Sequence, residues 1–171
     1  MSTERTVTMK GNPVHLTGNV VKIGDKAPDF TAIGLDMQPK KLSDFAGKVV
    51  ILSSVPSLDT GICDVETRRF NEIAGSLSDD VAILTVSVDL PFAQKRWCGA
   101  AGVDKVVLLS DHKDVDFGEK YGMLIGEMRL LARNIFVTDK AGVVRYQQLV
   151  PEIGQEPDYD AVVNAAKELL G

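Results

Sequence analysis

Short apolar runs alternate along the chain with stretches whose apolar residues recur three and four positions apart. A short run rich in β-branched residues is typical of a buried strand, whereas the three-four spacing is typical of an amphipathic helix. Strands are therefore predicted at 48–54, 81–88, 106–109, 132–138 and 143–149. Helices are predicted at about 63–76, from Pro91 past Cys98, at 116–121 and at about 158–170. The apolar positions of the first helix are Val65, Phe70, Ile73, Ala74 and Leu77.

The order of these elements predicts an α/β fold with a mixed central sheet flanked by helices. Residues 6–17 are predicted to form a β-hairpin around the turn at 11–13, and a second hairpin turn is predicted at 139–142. No repeat, low-complexity tract or long linker interrupts the sequence. We therefore expect a single domain over residues 1–171, in which about residues 1–20 form an N-terminal hairpin extension.

Composition and charge argue against several classes of function. The 171 residues carry a formal net charge of −5 and no basic stripe, which argues against nucleic-acid binding. The longest apolar runs are too short to cross a bilayer, and the first ten residues contain no hydrophobic signal-peptide core. His15 and His112 are not spaced from a cysteine as zinc ligands would be. We expect a cytoplasmic protein that uses neither a metal nor another cofactor.

Cys63 follows a predicted buried strand and a proline-containing loop, and it lies near the start of a predicted helix. If Thr60 caps this helix, its hydroxyl oxygen accepts a hydrogen bond from the backbone N–H of Cys63. The unpaired N–H groups of the first turn then surround the sulfur and stabilise the thiolate, which is the nucleophilic form. Arg133 is the candidate for a fixed cation near the sulfur, because arginine keeps its proton. Asp64 and Glu66 lie in the same turn and would compete for its positive end.

The residues before Cys63 match the active-site motif of the peroxiredoxins, Pro56-x-x-x-Thr60-x-x-Cys63. Over nearly its whole length the chain resembles the bacterial thiol peroxidase subfamily, which consists of atypical two-cysteine peroxiredoxins. The four residues of the motif are weak evidence alone, but several further segments resemble the subfamily in the same order. These segments are Pro56–Gly61, Leu90–Gln94, Trp97–Ala100, Leu131–Arg133 and Glu156–Tyr159.

This resemblance implies a thioredoxin-like fold and an enzyme of antioxidant defence that reduces hydrogen peroxide and organic hydroperoxides. Cys63 would be the peroxidatic cysteine, and its sulfenic acid would be captured by the resolving Cys98 in a Cys63–Cys98 disulfide. Thioredoxin would be the reductant of this disulfide. Thr60 would hydrogen-bond the thiolate and the peroxide, Pro56 would shield the sulfur, and Arg133 would be the cation beside it. The resemblance also implies a homodimer.

Formation of this disulfide is expected to require movement of the backbone. Cys98 lies inside a predicted helix, and without a partner it would be interpreted as a core thiol, since free cysteine is among the most buried residue types. A bridge to Cys63 requires Cα atoms within about 7 Å. Because two helical cysteines on separate elements seldom meet that condition, we expect the reduced and oxidised forms to differ by local unwinding around one or both cysteines.

Two other functions are compatible with parts of the sequence. The spacing Cys63-x5-Arg69 formally matches the loop of cysteine phosphatases, which holds a phosphate with successive backbone N–H groups. Asp64 and Glu66 would repel the phosphate dianion there, and no glycine lies among the five intervening residues. The other alternative is a thioredoxin-like redox sensor or binding module without peroxidase turnover. Thr60→Val should spare such a sensor and cripple a peroxidase.

Overall fold

The computed structural model describes residues 5–170 of the chain. Its strands are β1 (Arg5–Met9), β2 (Asn12–Thr17), β3 (Thr31–Ile33), β4 (Pro39–Lys41), β5 (Val49–Ser54), β6 (Val81–Ser87), β7 (Val107–Ser110), β8 (Leu124–Ile125), β9 (Leu130–Leu131), β10 (Asn134–Thr138) and β11 (Val144–Leu149). Its helices are α1 (Gly61–Ser76), α2 (Pro91–Ala101), α3 (Asp116–Tyr121) and α4 (Tyr159–Leu170), with a 3-10 helix at Leu42–Phe45. None of the helices in this part of the chain is long and apolar enough to span a membrane.

The central sheet is mixed, as the sequence predicts. Its strand order is β11-β10-β5-β6-β7-β3-β4. β5 and β6 pair in parallel, as do β6 and β7, whereas β10 pairs antiparallel with both β5 and β11. Every residue of β5 is buried, which agrees with the continuous apolar run that predicts this strand. The strand that leads to Cys63 is therefore at the centre of the sheet.

Alternate residues of β5 pack into apolar clusters on opposite faces of the sheet. Val50 and Leu52 belong to one cluster, to which α3 also contributes. Val49 and Ile51 belong to the other, which contains Cys63 and apolar side chains of α1, α2 and α4. The helices that carry the two cysteines therefore lie on the same face of the sheet.

The N-terminal hairpin is present, but its turn differs from the prediction. β1 and β2 pair antiparallel, and the tight turn consists of Lys10 and Gly11, which both have positive φ angles, rather than of residues 11–13. Pro13 lies within β2, opposite Thr8. The hairpin continues into a four-stranded sheet of order β1-β2-β8-β9. β8 and β9 were not predicted, because two-residue strands are too short to show a period in the sequence.

One position of α1 was assigned to the wrong face. Val65 was predicted to point into the core, yet it is 47% exposed. Phe70 and Ile73 are buried as predicted, and the position one turn before Phe70 on that face is taken by Glu66. The sequence-based prediction failed here because it placed an apolar side chain on the buried face where the fold buries a carboxylate.

Candidate active site

Cys63 lies in the first turn of α1, immediately after the loop that follows β5. Thr60 is the N-cap residue, and its Oγ1 accepts a hydrogen bond of 3.3 Å from the backbone N–H of Cys63. The cap expected from the sequence is therefore present. The hydroxyl of Thr60 also donates to the carbonyl oxygen of Ser57 at 3.0 Å, which links the cap to the preceding loop.

The sulfur of Cys63 has a cationic partner. Although Cys63 is completely buried within an apolar cluster, Arg133 Nη2 donates to its Sγ at 3.1 Å. Arg133 is itself buried, and its Nε donates to the carbonyl oxygen of Ile153 at 2.9 Å, which limits the movement of the guanidinium. The sheet register explains the contact: Asn134 pairs with Ser54, so the residue before β10 lies beside the end of β5.

Glu66 is the second partner of Arg133, and it is a residue that the sequence analysis did not assign to the site. Its carboxylate forms a buried ion pair with Arg133 Nη1 and accepts a hydrogen bond of 3.3 Å from Ser53 Oγ. Burial raises the pKa of Glu66 to about 7, although the charge of Arg133 acts in the opposite direction. Burial alone would lower the pKa of Arg133, but the charges of Glu66 and Cys63 together raise it above its ordinary value.

The thiol of Cys63 and the carboxyl of Glu66 share one cation. The guanidinium of Arg133 contacts both side chains, and it can balance one negative charge. With its pKa raised to about 7, Glu66 can hold a proton near neutral pH.

Asp89 fixes the loop before the N-cap. One of its oxygens accepts from Ser57 Oγ at 2.7 Å, and the other accepts from the backbone N–H of Leu58 at 2.8 Å and from Ser87 Oγ at 2.7 Å. Pro56 is buried in the same loop. Asp89 was not predicted as a site residue. Its position just after β6 was nevertheless a usable signal, since the carboxyl ends of the neighbouring parallel strands β5 and β6 lie together.

Cys98 has different surroundings. It lies in α2 and is half-buried, and its thiol donates to the carbonyl oxygen of Val103, just beyond the end of the helix. Burial, with a smaller contribution from the charge of Asp104, raises the pKa of Cys98 above the ordinary value of a thiol. Both cysteines are free thiols, so the structure is that of the dithiol form.

Other parts of the described structure offer no competing site near these residues. A cavity of about 350 Å³ lies at the opposite end of β5, beside Val50 and Thr138, and no candidate site residue lines it. Within residues 5–170, no group of three or more His, Cys, Asp or Glu side chains is arranged to hold a metal ion.

Known proteins resemble this chain over nearly its full length. The Redoxin family model matches residues 22–163. A thiol peroxidase of Bacillus subtilis (strain 168) is 54% identical, and the alignment covers 96% of this chain and 98% of the relative. A thiol peroxidase of Streptococcus pneumoniae (strain ATCC BAA-255 / R6) is 52% identical, with 95% and 99% covered. The crystal structure of a peroxiredoxin-like protein from Aquifex aeolicus superposes with a TM-score of 0.91 at 48% identity, covering 96% of this chain and 97% of that one.

The superposition confirms the predicted class of fold, the thioredoxin-like fold of peroxiredoxins. The chain belongs to the Redoxin family and, within it, to the thiol peroxidases, a family of peroxidase enzymes. The resemblance noted in the sequence is thereby confirmed. The roles of the individual site residues stay predictions.

Proposed function

We propose that this protein reduces hydrogen peroxide and organic hydroperoxides through Cys63, resolves the product with Cys98, and is recycled by thioredoxin. The observation that carries the proposal is the contact of 3.1 Å between Arg133 Nη2 and Cys63 Sγ at a capped helix N-terminus. A buried thiol beside a buried guanidinium favours the thiolate, which is the form that attacks peroxide.

In the first step the Cys63 thiolate attacks one oxygen of the hydroperoxide. An S–O bond forms, the O–O bond breaks, and the other oxygen leaves as an alcohol or as water after it takes up a proton. Negative charge moves from sulfur to the departing oxygen, so donors fixed near both atoms lower the barrier. Arg133 suits this role, because its contacts with Ile153 and Glu66 hold the guanidinium in place without using the Nη2 group that faces the sulfur.

Thr60 and Pro56 fit the roles that the family resemblance implies. A threonine hydroxyl has one proton, and in the dithiol form Thr60 uses it on the carbonyl oxygen of Ser57. To donate to a bound peroxide, the hydroxyl has to turn away from Ser57, while it can still accept from the N–H of Cys63. The burial of Pro56 in the loop that precedes the cap agrees with a shielding role.

Peroxide must reach a sulfur that is fully buried in the dithiol form. Asp59 and Thr60 are exposed at the end of the loop that leads to α1, whereas the residues before them are largely buried. We therefore place the entrance at this end of the loop. Small hydroperoxides need the least displacement of the loop.

In the second step Cys98 loses its thiol proton, and the resulting thiolate attacks the sulfur of the Cys63 sulfenic acid. A disulfide forms, and the hydroxyl of the sulfenic acid leaves with the thiol proton as water. Thioredoxin then supplies two electrons and two protons through its own dithiol and restores both thiols. The homodimer and the cytoplasmic location expected from the sequence stay predictions within this proposal.

The phosphatase alternative conflicts with the position of its essential arginine. Arg69 is exposed on α1 and pairs with Glu72 at 3.4 Å. Glu66, which lies between Cys63 and Arg69, is buried against the same guanidinium that contacts the Cys63 sulfur, and its side chain occupies space that the phosphate would need. The redox-sensor alternative is tested by Thr60→Val, which should spare a sensor and reduce peroxidase turnover.

The decisive experiment is turnover of hydrogen peroxide with thioredoxin, thioredoxin reductase and NADPH. We expect NADPH oxidation that requires the protein and both cysteines. Arg69→Gln, which removes an exposed arginine of α1, should keep full activity and serves as the matched control for Arg133→Gln. Normal turnover with dithiothreitol but none with thioredoxin would refute thioredoxin as the reductant. Absence of turnover with both reductants would refute the proposed function.

A further inference from the structure

The helices that carry the two cysteines are joined by the residues next to those cysteines. Trp97, which precedes Cys98 in α2, donates its Nε1–H to Asp64 Oδ1 at 2.7 Å. Asp64 follows Cys63 in α1. A hydrogen bond from indole to a carboxylate is among the stronger neutral-to-charged contacts in proteins. The two segments that have to approach each other during disulfide formation are thus already bonded through other side chains.

Arg68 strengthens this connection. Its Nε donates to Asp64 Oδ2 at 2.9 Å, and its Nη1 donates to the carbonyl oxygen of Ala101 in the last turn of α2 at 3.2 Å. The guanidinium also lies over the indole ring of Trp97, 5.9 Å from its centroid. Both oxygens of Asp64 are therefore used in this cluster. The competition with Cys63 for the helix N-terminus, expected from the sequence, is correspondingly weakened.

The cluster also orients the two sulfurs. Successive residues of an α-helix point about 100° apart around its axis. When Asp64 and Trp97 face each other, Cys63 and Cys98 therefore point elsewhere: the Cys63 sulfur contacts Arg133, and the Cys98 sulfur contacts the carbonyl of Val103. A disulfide requires both side chains to turn toward each other, which the packing of Asp64 on Trp97 opposes.

We infer that Asp64, Arg68 and Trp97 form a clamp that holds the dithiol geometry and sets the rate at which the Cys63 sulfenic acid is captured by Cys98. The clamp does not touch the peroxide, so its residues are positioning residues rather than catalytic ones. A slower capture leaves the sulfenic acid exposed for longer to a second peroxide, which oxidises it to sulfinic acid. The clamp thereby also sets the sensitivity to overoxidation. This inference rests on the proposed function.

The test uses Trp97→Phe, which removes the donor and keeps an aromatic ring, and Arg68→Gln, which removes the bridge between the helices. Arg69→Gln is the matched control, since Arg69 is the exposed neighbour of Arg68 and its partners, Glu72 in α1 and the ring of Tyr159 in α4, lie outside α2. Each reduced protein is mixed with one equivalent of hydrogen peroxide and quenched with acid at increasing times. Intact-protein mass spectrometry then gives the rates of sulfenic acid formation and of disulfide closure separately.

We expect disulfide closure to accelerate in Trp97→Phe and Arg68→Gln by about tenfold, the effect of losing one hydrogen bond to a charged group. Sulfenic acid formation should be unchanged in both variants, and Arg69→Gln should match the parent protein in both steps. At excess peroxide the two clamp variants should also yield less sulfinic acid. Normal sulfenic acid formation with unchanged or slower closure would overturn the clamp while leaving the proposed function intact.

A second measurement is independent of peroxide. The backbone N–H groups of Gly102 and Val103 both bond to the carbonyl oxygen of Cys98 at the end of α2. If the clamp holds this helix in place, hydrogen exchange at these two amides should become faster in Trp97→Phe and stay unchanged in Arg69→Gln. Equal exchange in all three proteins would overturn the clamp even if the protein showed no reaction with peroxide.

Discussion

The two cysteines of this chain are chemically identical but have opposite surroundings. Cys63 is fully buried at a capped helix N-terminus, and a buried guanidinium contacts its sulfur. Cys98 is half-buried within α2, its thiol is bonded to a carbonyl oxygen, and burial together with Asp104 raises its pKa. The first environment stabilises a negative sulfur and the second a neutral one. The proposed order of reaction, Cys63 first and Cys98 second, rests on these partners rather than on exposure.

Burial can lower or preserve the reactivity of a cysteine, depending on which groups are buried with it. An apolar environment without a cation disfavours an ionised thiol, as at Cys98. At Cys63 the fold buries Arg133 and Glu66 with the sulfur, and the single positive charge makes burial compatible with a thiolate. A choice of the reactive cysteine by exposure alone would select Cys98 rather than the proposed Cys63.

The largest effect is expected when the proposed nucleophile, Cys63, is replaced. Cys63→Ser should reduce peroxidase turnover by about 1000-fold or more, because serine at this position has no comparable nucleophilicity. Cys98→Ser should still consume one equivalent of peroxide and then stop, because Cys63 is intact. Peroxide consumption measured in single-turnover and steady-state assays separates the two outcomes. Equal loss of the first turnover in both variants would contradict the assigned order.

The cation of the Cys63 site is the next target. Arg133→Gln should slow sulfenic acid formation by about 100-fold, similar to the loss of one fixed donor in other sites that stabilise developing charge. Arg133→Lys should recover part of the rate, because it restores the charge without the planar pair of Nη groups. The control is Arg145→Gln, which removes an arginine that pairs with Asp139 on the surface. A normal rate in Arg133→Gln, in protein with an unchanged circular dichroism spectrum, would refute the role of Arg133.

The buried carboxyl of Glu66 predicts a pH dependence of stability. Its pKa is raised from 4.5 to about 7, so between these values the folded protein keeps a proton that the unfolded chain releases. Stability from this group is therefore present at low pH and is lost as the pH rises toward 7. The parent protein should lose about 2 kcal/mol more than Glu66→Gln between pH 5 and 7.5.

Urea unfolding of the two proteins at both pH values, with the thiols kept reduced, gives this difference. Asp111, whose pKa burial raises to about 6, has a dependence of the same sign, but it is present in both proteins and cancels. A difference in unfolding free energy between the two proteins that is the same at pH 5 and pH 7.5 would contradict the burial of a titrating carboxyl beside Arg133.

The smallest effect concerns the surroundings of Cys98. Because the pKa of Cys98 is raised, its thiolate fraction at pH 7 is small, and disulfide closure should accelerate about tenfold per unit between pH 6 and 8. Asp104→Asn removes the charge that contributes to this shift and should accelerate closure at pH 7 by about twofold, as expected for an exposed charge. The control is Asp79→Asn, which removes another exposed carboxylate, in the turn between α1 and β6. Acid-quench mass spectrometry measures the rates. Closure that does not depend on pH would contradict attack by a Cys98 thiolate.

Much of the fold could be predicted because its signals are local. The run Val49–Leu52 is buried in the sheet, and the strand predicted at 81–88 is observed at Val81–Ser87 with its last five residues buried. The helix starts at Pro91 and near Cys63 were also predicted closely, since proline in the first turn and a capping threonine are local signals. The three-residue strand β4 and the two-residue strands β8 and β9 are too short to show a period. β4 pairs with the nearby β3 and β9 with the nearby β8, whereas β8 also pairs with the distant β2.

In the site, too, the features that depend on neighbouring residues could be predicted, whereas those that depend on distant residues could not. The cap by Thr60 followed from the sequence, because it depends on residues that are close along the chain. The approach of Arg133 to Cys63 depends on the register of β10 against β5, and it was expected only as a candidate supported by family resemblance. Glu66 was interpreted as a competitor for the helix N-terminus, since nothing in the local sequence shows that a distant arginine would bind it. Asp89 was missed although its position just after β6 was a signal, because its partners Ser57 and Leu58 lie about 30 residues earlier in the chain.

The most direct test of Cys63 as the peroxidatic cysteine is to trap its sulfenic acid. Reduced Cys98→Ser protein is treated with one equivalent of hydrogen peroxide in the presence of a reagent that alkylates sulfenic acids, and the labelled peptide is identified by mass spectrometry. We predict close to one label per chain, located on Cys63, and complete consumption of the peroxide. Persisting peroxide and an unlabelled Cys63 thiol would contradict it.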